Sequence, residues 1–162
     1  MANGKIGSHP SRAGQVVDNL DTVLSGGYQL GSSDSGKVFM CSQAAAVIVN
    51  LPKLSVGIAG WNASFILKTA GSNDFSIFAW GLQAAGTGDS GVTNDGDTII
   101  FAEYGSDTND ADSVTAHATS QDGVFFDASA SVVGDKIDVF TDGTNWYCTA
   151  FVAQVAHTDD ID

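Results

Sequence analysis

From Gly26 onward the chain is a succession of short β-like runs parted by Gly, Asn, Asp and Ser, with no long helical stretch among them. That rhythm belongs to all-β sandwiches and barrels. The runs are Gly27–Leu30, Lys37–Gln43, Ala46–Leu51, Ala63–Thr69, Phe75–Trp80, Thr98–Tyr104, Ser113–Ala118, Gly123–Phe126, Lys136–Thr141 and Trp146–Ala153. In ASFILKT and DFSIFAW the alternate residues Phe65/Leu67 and Phe75/Ile77 can line one face. Their neighbours are also fairly apolar, which predicts cover on the outer face by identical subunits. Leu51-Pro52 ends a strand because proline cannot donate to a ladder. Asp142-Gly143-Thr144-Asn145 between two apolar runs signals a hairpin. The polar stretches 81–97 and 105–112 read as exposed loops.

With 162 residues the chain has room for one cored domain. The expected layout is an extended N-terminal arm over 1–25, a single β-sandwich or jelly-roll-like domain over 26–156, and an acidic tail over 157–162. Gly4, Gly7, Pro10 and Gly14 leave the arm few large apolar groups. Within it Val16, Val17, Leu20, Val23 and Leu24 recur at roughly helical spacing, so a short helix or turn over Gln15–Leu24 is a candidate element. No internal repeat is legible.

Charge excludes some function classes. Nineteen acidic residues face six basic ones, for a net −13, the wrong sign for binding phosphates. The imbalance is uneven: residues 1–68 hold five basic and three acidic residues, and residues 69–162 hold Lys136 against sixteen acids. Acidic loops that keep an exposed domain soluble account for this imbalance, the alternative being that the neutral-to-basic front docks on an acidic scaffold while the acidic part faces solvent. No apolar run reaches the ~18 residues of a membrane-spanning helix, so no membrane partner is expected. MANGKIGSHPSRAGQ has no apolar stretch of a secretory kind, which predicts assembly inside a cell. In that compartment Cys41 and Cys148, each in a strand-like run, are expected as free thiols, the alternative being a bridge between an early and a late strand.

Catalytic chemistry finds little footing. His9, His117 and His157 are scattered without metal-site spacing, and neither a G-x-S-x-G elbow nor a phosphate-cradling loop occurs. Asp107, Asn109, Asp110 and Asp112, with Asp95 and Asp97 nearby, have the residue types of a calcium loop but not its spacing. Glu103, in FAEY, would need an acid partner that cannot be named before it could serve a glycosidase. The expectation is a non-enzymatic protein with no metal and no cofactor.

Two stretches carry a resemblance. SSDSGKVFMCSQAAAVIVNLPKLSVGIAGWNASFILKT runs from the Ser35-Gly36 turn through Val38–Cys41, Ala44–Ala46, Val47–Leu51 with Pro52, and Gly57–Gly60 to Phe65–Leu67. GDKIDVFTDGTNWYCTAFV runs from Gly134-Asp135 through Ile137–Phe140 and the Asp142–Asn145 turn to Trp146-Tyr147. Together, over about residues 32–69 and 134–152, they resemble modules of tailed-bacteriophage virion proteins, both capsid decoration (cement) proteins and tail-fibre β-modules. The resemblance implies a sandwich or jelly-roll-like domain, often trimeric, with neither cofactor nor catalysis.

The expected function is that of a structural protein of the virion, made in the host cytoplasm and bound to the outer capsid surface, which it stabilises. Its partners are the major capsid protein and its own copies as a homotrimer. Lys5, Arg12, Val16, Val17 and Leu20 are the candidate capsid-docking residues. The alternative is a receptor- or glycan-binding module of a tail or head fibre, in which Trp61 and Trp80 would stack on sugar rings instead of serving, as tryptophan more often does, in the core or a subunit interface.

Overall fold

The structure is a computed structural model, and it describes residues 17–24, 27–79, 99–105, 113–121, 123–128 and 130–152. The chain is all-β. Its strands are β1 Val17–Leu20, β2 Tyr28–Gln29, β3 Val38–Ser42, β4 Val47–Asn50, β5 Asn62–Thr69, β6 Phe75–Phe78, β7 Ile99–Gly105, β8 Ser113–Gln121, β9 Gly123–Phe126, β10 Lys136–Thr141 and β11 Trp146–Val152. Helical structure among the described residues is limited to two 3-10 turns, Ser32–Asp34 and Val56–Ile58. All ten strand-like runs of the sequence appear within a few residues of their expected limits.

The strands form two mixed sheets. One has the order β1-β3-β5-β10-β11-β7-β8 and the other β2-β4-β6-β9. Successive strands from β1 to β6 alternate between them, and β1-β3-β5 and β2-β4-β6 are parallel sets. The first half of the domain is therefore a winding of three turns with two strands each. β10 then pairs antiparallel with β5 and β11, and β9 antiparallel with β6. A jelly roll is built from antiparallel Greek keys, and the parallel pairings depart from that pattern.

The winding is held by a corner used twice. The 3-10 turn at Ser32–Asp34 is followed by Ser35-Gly36, and that at Val56–Ile58 by Ala59-Gly60. Gly36 and Gly60 have φ of +82° and +85°, and in each case the next residue donates its N–H two residues back from the glycine, Lys37 to Asp34 and Trp61 to Ile58. These are type II turns, whose third position favours glycine. A Cβ at either glycine would meet nothing within 4 Å. Alanine there costs only the left-handed backbone penalty, so Gly36→Ala and Gly60→Ala should each lose about 1–2 kcal/mol in urea unfolding without disturbing neighbours.

β1 lies inside the segment expected to be an arm and replaces, over Val17–Leu20, the helix or turn expected around 15–24. The strand is selected by distant partners. Lys37 Nζ, just before the neighbouring strand β3, reaches Asp18 Oδ2 at 2.8 Å, and Lys68 Nζ reaches Asn19 Oδ1 at 2.8 Å and Asp21 Oδ2 at 3.3 Å. Leu20 turns inward.

Both sheets feed one buried cluster. Phe39, Phe65, Phe75 and Phe126 form a line of rings through it, with centroids 5.1, 6.4 and 6.1 Å apart, the middle step joining the two sheets. Gln43 is fully buried and satisfied: its Nε2 donates to the Phe126 carbonyl at 2.8 Å and its Oε1 accepts from the Gly71 N–H at 3.1 Å. That side chain ties the end of β3 to β9 and to the β5–β6 turn. Trp61 and Trp146 meet edge to face at 5.2 Å and 89°.

Candidate functional site

Strand alternation sends Phe65, Leu67, Ile137, Val139, Trp146, Cys148 and Ala150 into the core, so the intervening residues of β5, β10 and β11 face outward. Three of them are aromatic. Phe140 and Phe151 are 49% and 47% exposed, and Tyr147 is half-buried. Phe140 and Tyr147 are direct cross-strand partners, and their rings stack at 4.9 Å and 15°. Lys136 is the cross-strand partner of Phe151 and holds its ammonium 5.8 Å from that ring's centroid. The same ammonium lies 2.6 Å from Asp138, whose carboxylate also accepts the Ser64 hydroxyl. The result is an ordered aromatic strip with a small charged network, at the middle of a sheet rather than at its rim. Aromatic side chains so placed are characteristic of interaction surfaces, because they supply large contact area at small entropic cost.

The hairpin at one end fixes the strip. Asp142 Oδ1 accepts the N–H groups of Thr144 and Asn145 at 2.7 and 2.8 Å, and Oδ2 accepts the Tyr147 hydroxyl at 3.0 Å. Thr141 Oγ1 donates to the Asn145 carbonyl at 2.6 Å and accepts the Gly143 N–H at 2.8 Å. The Asn145 and Thr144 amides, together with the phenol, hold the Asp142 carboxyl below the ordinary carboxylate value, and the same bond raises the Tyr147 phenol. A depressed folded-state pKa means that this carboxylate supports the hairpin above the ordinary value near 3.8 and loses that support as pH falls through its own lower pKa. In ultraviolet titration, Tyr147 should ionise above 10.0, and Asp142→Asn should bring it back toward that value.

A second feature lies at the open end of the winding, where β1 and β2 are the first strands of their sheets. A cavity of about 290 Å³ there is lined by Asp18, Leu20, Tyr28, Leu30, Asp34 and Phe39, among others. Lys37 bridges its two acids, at 2.8 Å from Asp18 and 2.7 Å from Asp34, and Asp34 also accepts the Gly31 N–H at 2.7 Å. Partial burial opposes ionisation of Asp34, but the Gly31 N–H and the Lys37 ammonium outweigh it and keep the carboxyl below its ordinary value. Hydrogen bonds to Asp18 and then Asp34 raise the Lys37 ammonium.

The residues singled out in the sequence are placed unequally. Leu20 is 4% exposed and belongs to the core, so it packs the domain instead of docking it. The cause is the strand period, which turns Leu20 inward where a helix would have shared it with Val16 and Val17. Val17 opens β1, and Lys5, Arg12, Val16 and Trp80 lie outside the described residues, as does the 107–112 loop. Trp61 is 3% exposed, and its Nε1 donates to the Gly31 carbonyl at 2.9 Å, so its ring is committed to the core and offers no face to a sugar. Cys41 and Cys148 are buried thiols outside any disulfide, and burial pushes the Cys41 thiol far up. Glu103 and His117 lie on β7 and β8, with side chains outside the described residues. Among the described residues no three His, Cys, Asp or Glu side chains gather as a metal set, and no helix is long and apolar enough to cross a membrane.

The aromatic strip escaped sequence reasoning, although its signal was present: Phe140, Tyr147 and Phe151 sit at the positions opposite in phase to Ile137, Val139, Trp146, Cys148 and Ala150. No protein-family model matches the chain, and no curated protein or solved structure is significantly similar to it.

Proposed function

We propose that the chain is a structural protein of a tailed-phage particle, a decoration protein that binds the outer surface of the capsid and stabilises the shell. In this reading the two sheets form a sandwich, and the outward face of the seven-stranded sheet is the docking face. The observation that carries it is the outward aromatic set of β10 and β11, the stacked Phe140 and Tyr147 with Phe151 beyond the Asp138–Thr149 pair, of which Phe140 and Phe151 are exposed. The resemblance to virion modules adds support. Its two stretches are far apart in sequence, yet they supply β3, β5, β10 and β11, adjacent strands of the sheet that bears the strip.

Stabilisation then needs no chemistry. A protein that binds the assembled shell and not its free subunits favours assembly by mass action, and many modest contacts add through multivalency. Threefold self-association would match threefold positions of a capsid lattice and cover part of the outer faces.

The test is to heat expanded, undecorated phage heads with and without saturating protein, and to offer the same protein to host-surface glycans. A raised rupture temperature with no glycan retention supports the decoration role. Glycan retention with no protection would replace it with a fibre receptor-binding module.

A further inference from the structure

β1 is lightly anchored. Of Asp18, Asn19 and Leu20 only the leucine enters the core, and Val23 and Leu24, which follow the strand, stay exposed. Asp and Asn are residues that strands disfavour. The ladder partner of β1 among the described strands is β3, in a register of four residues, and Asp18, Asn19 and Leu20 border the cavity of about 290 Å³. β3 is the opposite case: Phe39 and Cys41 are buried, and β5 pairs with it on its other side. What supplements the β1 ladder is charge. Lys37, just before β3, binds Asp18 at 2.8 Å and Asp34 at 2.7 Å. Lys68, on β5 beyond β3, binds Asn19 at 2.8 Å and Asp21 at 3.3 Å. The charged side chains that meet here, Asp18, Asp21, Asp34, Lys37 and Lys68, are between 19% and 48% exposed, so dissolved salt reaches all of them.

We propose that β1 is a latch on β3, held shut by the Lys37 and Lys68 clamps and released by ionic strength. Exposed ion pairs contribute little to the stability of a whole domain, but a four-residue strand that opens by itself has little else to lose. Screening shortens the reach of the clamps to about 3 Å in 1 M salt, whereas the burial of Leu20 is not weakened by it. Opening β1 leaves the β3–β5 ladder paired. It uncovers the backbone edge of β3 that β1 occupies, and an uncovered strand edge is a template on which another chain can pair. The latch decides when that edge is offered. This inference is independent of any capsid role.

Hydrogen exchange of the full chain in low salt and in about 1 M sodium chloride tests it, with Lys68→Met alone and combined with Lys37→Met. In the wild-type chain the amides of Asp18–Leu20 should exchange roughly threefold faster or more in high salt, while the Phe65 and Ile77 amides keep their protection. Lys68→Met should raise the low-salt rate at Asp18–Leu20, and the double variant should remove its dependence on salt. Methionine keeps most of the length and the apolar stem of lysine, so a merely structural loss would speed exchange and leave the response to salt in place. Salt-independent exchange at Asp18–Leu20 in the wild-type chain, or a double variant that keeps the full response, would overturn the proposal. Equal acceleration at Phe65 and Ile77 would overturn it as well, since the opening would then be global.

Discussion

Replacing Trp146 by alanine should cost about 3–5 kcal/mol, the range for deleting a large aromatic from a packed core. The side chain is fully buried at the start of β11, and Trp61 packs edge-on against it. Its loss removes a wall from the space between the hairpin strands and the corner at Gly60, where the Gly60 N–H donates to the Thr141 carbonyl and Thr141 to Trp61. For a domain of this size the cost corresponds to a fall in Tm of roughly 10–15 °C, read by calorimetry. Trp146→Phe should cost distinctly less. The indole Nε1 is buried without a hydrogen-bond partner among the described residues, so phenylalanine gives up volume but also removes an unsatisfied donor. Equal losses for the two variants would show that the indole's full volume, and not an aromatic ring as such, is what the core requires.

The strands were legible because their signals are local. Asp142-Gly143 set the β10–β11 hairpin, and the alternation in ASFILKT and DFSIFAW put Phe65 with Leu67 and Phe75 with Ile77 on one face before any pairing was known. β1 was not legible. Val-Asp-Asn-Leu has a helical echo in its surroundings and two residues that strands disfavour. It becomes a strand because Lys37 and Lys68, nineteen and forty-nine residues away from their partners Asp18 and Asn19, hold its polar side chains while Leu20 enters the core. The winding was hidden for a related reason. Ser35-Gly36 and Ala59-Gly60 share a backbone conformation, not a side-chain pattern, so the repeat is written in φ angles and register. The candidate site followed the same rule. An aromatic in an apolar strand looks like core until cross-strand partners show which face it occupies, and for Phe140, Tyr147 and Phe151 that face is the outer one.

The second large effect concerns that face. The triple variant Phe140→Ser, Tyr147→Ser and Phe151→Ser should lose at least about a hundredfold in affinity for a capsid lattice, since aromatic anchors at the centre of an interface commonly contribute about 2 kcal/mol or more each. Its fold should survive, because the inward residues of β10 and β11 are untouched and the altered side chains are exposed or half-buried. Some stability will go with the Phe140–Tyr147 stack, on the order of 0.5–1.5 kcal/mol. Lys136→Ala, which removes the ammonium above Phe151, should weaken binding by much less and make it less sensitive to salt.

Co-sedimentation with expanded, undecorated phage heads tests the central claim most directly, with the wild-type chain and the triple variant compared at equal concentration after both are shown to be folded. The account predicts that wild-type protein saturates the heads at a fixed number of copies and that the variant stays in the supernatant. Wild-type protein that fails to sediment with the heads, or a folded variant that binds as well as wild type, would contradict it.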